Sequence, residues 1–599
     1  MHARSRSLFW ILATLAACQS TTAPLDATAP RDVVGVDAAV ADAPPADAAA
    51  ADVRDAGPTV VPYRGPDDWC PGRDHCTGMG DGRLHVGAAT AVINPVDYEN
   101  DWTDANNNAT WDWNDANADG RFQPGEGEPF VDRNNNGIFD AAWIAGFGIA
   151  RPARGVNDDL QVRAIAFRWN DITVAFAVID CVGFFSNEMD RIRQDPMLQG
   201  LGVDKVIIAS THTHEAVDTV GIWGPSLIRT GLNPAYQAMV RTRTAEAVRG
   251  AVMSAVPVRM RVAQVNTVDP MGSAMAYVND TRDPVVFDPA LTLVRFTRDD
   301  DPTRTVATWV NWSSHPEYTG SRNNQLSADY VHTLRDTLER GLSAENLPGL
   351  GGTAVFVNGA LGGQVGPGGG VAPLGEDGRP IGDSGIAKAA AAGRNVARLG
   401  LQALARDGVD VTAPALSYRT AQIYARVENQ RYAIAYNQQL FDRELLYWNP
   451  NMPLGRNNLA WVSSRVTYLQ VGPVATVTAP GELHPELWIG FDSRWSWGRP
   501  MFTETANRAD LAMAPPAPYL RELVLANPGV RWAFVSGLSE DFLGYIIPRF
   551  NFVVHPVLPY IFEAQGDHYE ETNCIGPDAE EHLYGSMSAI ARWRPDAGM

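Results

Sequence analysis

Apolar residues recur along this chain with two periods. In "LQVRAIAFRWNDITVAFAVID" (Leu160 to Asp180), aliphatic and aromatic residues crowd both sides of Asn170 and Asp171, which reads as two strands joined by a tight turn. "KVIIAS" (Lys205 to Ser210) and "TVATWVNW" (Thr305 to Trp312) read as further strands. Helical spacing of Ala, Leu and Arg marks Tyr236 to Ser254, Ser327 to Arg340, Ile386 to Arg406 and Gln430 to Tyr447. Strands and helices mixed in this order, without a fixed-period repeat, predict an α/β (mixed α+β) fold with sheets flanked by helices.

The N-terminus breaks this pattern. His2, Arg4 and Arg6 form a basic start, Leu8 to Thr14 an apolar run too short to span a bilayer, and "LAAC" (Leu15 to Cys18) ends it. That ending resembles the bacterial lipobox, which implies a leader over 1–17, lipidation of Cys18, and export to the outer membrane or cell surface. The alternative is an ordinary cleaved leader with an incidental cysteine. Residues 18–62 hold Ala, Asp, Pro, Val and Thr with almost no large apolar side chains, and such a segment is a tether. Residues 63–599 are then read as one large domain, and no later apolar run reaches bilayer length.

Charge narrows the partners. The formal net charge is −21, from 48 basic and 69 acidic residues with no Lys/Arg-dense block, so nucleic acid is not an expected partner. Cys70 and Cys76 close a short loop suited to a disulfide, and the sequence leaves the pairing of Cys70, Cys76, Cys181 and Cys574 open.

Part of the acidity is concentrated in Asp101 to Trp143, a segment dense in Asp and Asn. "DANADGRFQPGE" places Asp115, Asn117, Asp119, the carbonyl of Arg121 and Glu126 at calcium-loop spacing, with Gly120 at the sharp turn. "DRNNNGIFD" repeats this with Asp132, Asn134, Asn136, the carbonyl of Ile138 and Asp140, and "DANNNATWD" (Asp104 to Asp112) is a weaker copy without the glycine. Pro124 argues against a helix starting inside the first loop, so these are expected to be stand-alone loops holding structural Ca2+. An Asx-rich turn cluster without an ion is the other reading. Trp102, Trp111, Trp113 and Trp143 are expected to form the insertion's small core in preference to a lipid-gripping surface.

The chemistry begins at "KVIIASTHTHEAVD" (Lys205 to Asp218), where a strand ends in His212 and His214. Alternate residues of a strand share a face, so both imidazoles would reach one ion or one substrate. Paired histidines satisfied in a polar corner remain the bland alternative. Further motifs follow in order: "WVNWSSHPEYTG" (Trp309 to Gly320), "LSADY", "VTAPGELHPEL" (Val477 to Leu487), "GLSEDFLGYI" (Gly537 to Ile546) and "HYEE" (His568 to Glu571). With "HVGAATAVINP" (His85 to Pro95) before them, this order resembles the catalytic domain of the neutral ceramidases, zinc amidases that cleave the N-acyl bond of ceramide.

The resemblance implies a Zn2+ site made of His212, His315, Glu482 and Tyr545, with His214 moving protons and Tyr569 steadying the oxyanion. Two imidazoles, a carboxylate and a phenolic oxygen suit a borderline-soft divalent ion that keeps a position for water. The chain also departs from the family. In place of the family's Gly-Asp-Val-Ser-Pro loop stands "FVNGALGGQVGPGGG" (Phe356 to Gly370): Gly362 or Gly366 takes the serine's place and Gly363 the aspartate's. Backbone N–H groups at Gly362 and Gly363 are therefore the expected substrate contacts, without a hydroxyl nucleophile. "HEAVD" puts Glu215 and Asp218 near the histidines, and too few residues follow "HYEE" for the family's immunoglobulin-like domain. The expected function is a zinc-dependent hydrolase of an amide bond in a small-molecule or lipid substrate. The alternatives are a silent lipid- or partner-binding lipoprotein, or an ester or lactone hydrolase.

Overall fold

The computed structural model describes residues 60–595, apart from 118, 268–276, 281, 367–371, 383, 453, 456–457 and 492–505. The leader, Cys18 and nearly all of the tether lie outside the described residues. Among the described residues, no helix is long and apolar enough to cross a membrane.

The strands are β1 (Asp68–Cys70), β2 (Leu84–Val92), β3 (Gln161–Trp169), β4 (Ile172–Ile179), β5 (Lys205–Ser210), β6 (Val256–Asn266), β7 (Ala290–Arg298), β8 (Thr305–Trp312), β9 (Thr353–Asn358), β10 (Leu416–Val427), β11 (Ala460–Val471), β12 (Val474–Thr478) and β13 (Trp532–Ser536). The larger sheet runs β9-β8-β7-β6-β2-β3-β4-β5, with Val409–Val411 added beside β6. Its inner pairs are antiparallel, whereas β9/β8 and β4/β5 at the two edges are parallel. The second sheet runs β1-β10-β11-β12-β13, and its β12/β13 pair is also parallel.

The β3–β4 hairpin forms where the sequence places it. Asn170 sits at φ 57, a left-handed conformation that Asn tolerates, and the strands pair directly from Trp169↔Ile172 onward. Both strands are buried almost throughout, because one face packs on the helix Pro234–Met253 and the other on β8, β9 and the second sheet. Asn233 caps that helix by accepting from the N–H groups of Ala235 and Tyr236.

The larger sheet curls until its edges meet. Asn358, at the end of β9, donates its side-chain amide to the carbonyl of Thr211, just past β5, at 3.1 Å. Phe167, Phe176, Ile207, Phe296, Trp309, Val355 and Val357 fill the enclosed space. The outer side carries the helices Tyr330–Arg340 and Ile386–Asp407, which pack closely because a side chain at Gly393 would lie 2.2 Å from the carbonyl of Tyr330. The helical reading of Gln430 to Tyr447 is corrected: the helix covers Gln430–Asn437 only. The chain turns at Gln439 (φ 57), and Leu440 and Phe441 drop into the core. Tertiary burial of two apolar side chains there outweighs helix propensity.

Curling decides where the chemistry can be. The C-terminal ends of β5, β8, β9, β12 and β13 all open toward one region, since each parallel pair points its ends the same way. Loops leaving such ends are the usual place for a site in α/β sheets.

Candidate metal centre

His212 lies two residues beyond β5, not within it. The expected projection of both histidines from one strand face is therefore corrected: a left-handed turn at His212 (φ 70) aims the rings, not strand alternation. The His212 ring donates from Nδ1 to the carbonyl of Val182 at 2.5 Å, and its backbone N–H bonds to Cys181. His315, three residues past β8, donates from Nδ1 to the carbonyl of Gln364 at 3.0 Å. Each carbonyl requires a proton on Nδ1, which leaves a lone pair on Nε2 facing inward.

Glu482 and Tyr545 arrive together because Glu482–Leu483 pairs in parallel with Tyr545–Ile546, in the register Glu482↔Tyr545. Glu482 Oε2 lies 3.1 Å from His315 Nε2 and 3.4 Å from His212 Nε2, and the Tyr545 hydroxyl lies 3.4 Å from His315 Nε2. The Tyr569 hydroxyl sits 3.3 Å from that of Tyr545. His214 Nε2 is 3.3 Å from His212 Nε2, and one ring nitrogen from each of His212, His214 and His315 lies within 4.8 Å of the others, a possible metal-holding set. His212, His214, His315 and Glu482 are all at least nine-tenths buried.

The electrostatics are those of a buried carboxylate facing two imidazoles. Burial opposes ionisation of Glu482, but the imidazoles of His212 and His315 hold its carboxyl well below the usual range. Burial also opposes charge on His315, and the Glu482 carboxylate overcomes it, lifting the imidazole to about 8. His214 is pushed down to about 4 by burial. Burial raises both Tyr545 and Tyr569 well above the ordinary phenol range. Two Nε2 lone pairs and a carboxylate oxygen converging at hydrogen-bond distance repel one another unless a proton or a cation lies between them. This donor set fits a divalent metal.

The surroundings hold these groups in place. Gly146 (φ 105) approaches His214 so closely that a side chain there would lie 2.4 Å from the ring. Arg282 binds both Glu570 and Glu571 at 2.8 Å, so the acid pair of "HYEE" anchors the turn that presents Tyr569. Glu215 pairs with Arg151 at 2.7 Å and bonds to Thr319 and Asn323, and Asp218 accepts from the N–H groups of Val220, Gly221 and Trp223. Both acids thus build loops behind the centre.

Gly362 is placed differently from the sequence-based expectation. The N–H of Gly362 donates to the carbonyl of Leu483, which leaves it no bond for a substrate oxygen. Gly363 (φ 75) packs against Asp280 and His484. Besides Gln364, whose carbonyl orients His315, Gly366 of this loop reaches the centre's surroundings, its N–H bonding to Glu317 Oε1 at 3.0 Å. Glu317 escaped the sequence reading: it stood inside "SSHPEYTG", but a lone carboxylate two residues past a histidine carries no recognisable spacing. The carbonyls of Val182 and Gln364 were equally illegible, since any residue type supplies them.

The Asp/Asn-rich insertion stands apart, with Trp102, Trp111, Phe139 and Trp143 buried in a cluster of their own and Trp113 packed against it. In its loops Asp115 accepts from the N–H groups of Asp119 and Gly120, and Asp132 from those of Asn136 and Gly137. Asn117 and Asn134 accept from the residues two further on, and the seventh-position residues Arg121 and Ile138 donate their N–H groups to Asp119 and Asn136. Glu126 accepts from the N–H of Gln123, and Asp140 from the side chains of Asn134 and Asn136. The copy at Asp104 has the same bonds, with Ala109 (φ 67) where the others have glycine. Cys70 and Cys76 form a disulfide, while Cys181 and Cys574 are free and buried.

No family model matches the sequence, and no curated protein matches it. Solved structures do. A neutral ceramidase from Pseudomonas aeruginosa aligns with a TM-score of 0.55 at 12% identity, over 86% of this chain and 74% of that one. A ceramidase complexed with C2 aligns with a TM-score of 0.55 at 12% identity, over 86% of this chain and 75% of that one. At this identity the likeness concerns architecture: the chain has a ceramidase-like fold, with a possible three-histidine metal site at its strand ends.

Proposed function

We propose that this protein is a zinc-dependent hydrolase of an amide bond, with an N-acyl lipid as substrate class. The observation that carries it is the convergence of His212, His315, Glu482 and Tyr545, far apart in sequence, with their lone pairs turned to one point. Bound zinc would supply Lewis acidity, acidifying water and polarising a carbonyl. His214, with Nε2 at the rim of the set, accepts the proton of the attacking water and returns it to the leaving amine. Tyr569 keeps its proton and donates a hydrogen bond to the oxygen on which negative charge develops. No serine stands in the Phe356 to Gly370 loop, so water attacks directly and no acyl-enzyme forms.

The same reading takes the insertion loops as structural calcium sites and Cys18 as a lipid anchor that holds the protein at the outer membrane or cell surface. Metal analysis of the purified protein, followed by assays of fatty-acid release from N-acyl substrates with and without chelator, tests the proposal. Stoichiometric zinc and chelator-sensitive release are expected, and turnover that survives chelation refutes it. Ester and lactone substrates in the same panel distinguish the neighbouring hydrolase classes. Bound zinc with no turnover on any substrate would mark a silent binding scaffold.

A further inference from the structure

We propose that Glu317 is a positioning residue for His214, fixing its tautomer and tying it to the glycine-rich loop; the assignment rests on the hydrolase reading above. Glu317 Oε2 lies 3.3 Å from His214 Nδ1, and Oε1 accepts the N–H of Gly366 at 3.0 Å. The carboxylate therefore bridges two segments that meet nowhere in sequence. Its approach is built into the backbone, because the N–H of His214 bonds to the carbonyl of Pro316 at 3.0 Å, one residue before Glu317.

The three clustered histidines differ in what faces their outer nitrogen. His212 and His315 are hydrogen-bonded there to a backbone carbonyl, whereas His214 has a carboxylate oxygen at 3.3 Å, an ion-pair approach. A carbonyl only orients a ring, whereas a carboxylate orients it and also supports a proton on it, as the acid of a hydrolytic triad does. This sets His214 apart as the proton carrier and leaves the other two as ligands. The ring has little freedom otherwise: the Phe147 ring meets it edge-on at 5.1 Å, and Gly146 closes another side. A proton on the outer nitrogen, favoured by the carboxylate 3.3 Å away, makes Nε2 the acceptor, 3.3 Å from His212 Nε2.

The loop explains why a carboxylate does this work here. A side chain at Gly366 would lie 2.5 Å from the buried ring of Tyr318, so that position admits no hydroxyl, and its N–H is taken up by Glu317.

The test compares Glu317→Gln, Glu317→Asp and Glu317→Ala in the full chain by zinc content, kcat and KM. It adds 15N NMR of histidine-labelled protein, with the His214 signals assigned by their absence from His214→Ala. Zinc content is expected to stay at the wild-type level in all three variants. Loss of kcat by roughly 10²-fold or more is expected in Gln and Ala, with KM little changed and partial recovery in Asp. In Ala the Nδ1–H tautomer of His214 is lost, and in Gln, which keeps an acceptor oxygen, it persists. Zinc lost together with activity would make His214 a ligand and overturn the inference, as would an unchanged kcat in Gln or an unchanged tautomer in Ala. If the wild-type protein hydrolyses nothing, the hydrolase reading fails, while the tautomer measurement still decides the role of Glu317.

Discussion

The centre and the Asp/Asn-rich insertion are both rich in oxygen and nitrogen donors, yet they are built in opposite ways. In the insertion the side-chain donors come from one short stretch, are partly or fully exposed, and already accept hydrogen bonds from their own loop, as Asp132 does from Asn136 and Gly137. In the centre the donors come from loops up to some hundreds of residues apart, are buried, and confront one another across 3.1–3.4 Å. Local donors can be satisfied without an ion, and so their pattern alone does not demand one. Convergent buried donors need a proton or a cation between them, because each left unpaired costs on the order of 1–3 kcal/mol.

The largest expected effect tests the convergent side of this contrast. His212→Ala and His315→Ala should each abolish zinc binding and hydrolysis, exceeding the roughly 10–100-fold loss in metal affinity that follows removal of a mere outer partner. Metal content by mass spectrometry checks this, and wild-type zinc in either variant would break the ligand assignment.

Trp111 tests whether the insertion stands on its own core. It is 3% exposed, stacks against Trp113, meets Phe139 at 5.0 Å, and donates from its ring to the carbonyl of Glu128. Trp111→Ala should cost about 3–5 kcal/mol locally. Limited proteolysis is expected to cut the insertion first while zinc stays bound, and simultaneous loss of both would show that the two regions are coupled.

Calcium gives a smaller effect. At a hundredfold excess over its Kd the ion should stabilise the insertion by about 2.7 kcal/mol, seen as greater resistance to proteolysis. The pair Asp115→Asn and Asp132→Asn should remove that gain without altering zinc content. Protection that survives the pair would mean the loops are Asx turns only.

The smallest effect is an absence of reaction. Burial pushes the Cys181 thiol up to about 12 and raises Cys574 as well, so neither forms thiolate near neutral pH. Iodoacetamide should label neither in the native protein and both after denaturation, as peptide mass mapping would show. Native labelling of Cys181, whose carbonyl holds the backbone of His212, would reveal that the centre opens.

Much of this molecule was legible beforehand. The hairpin at Asn170 and Asp171, the strands at Lys205–Ser210 and Thr305–Trp312, and the helix Ile386–Asp407 follow from periodicity, because one buried face imposes its spacing on the chain. His212 and His214 were singled out by their spacing after a strand, whereas His315, Glu482, Tyr545 and Tyr569 were named only from the order of short motifs. Glu317 and the two carbonyl partners were invisible, and Gly362 was misplaced, since hydrogen bonds to backbone depend on which loops meet.

The sequence by itself determined the alternation of strands and helices, the tryptophan core of the insertion and the residue types available for metal chemistry, all properties of neighbours along the chain. Only the tertiary structure decided that the larger sheet curls until β5 and β9 meet, and that curl turns distant strand ends into one site. Its physical reason is the aromatic and aliphatic filling around Trp309, Phe167 and Phe176, whose burial draws the edges together and carries the histidines with them.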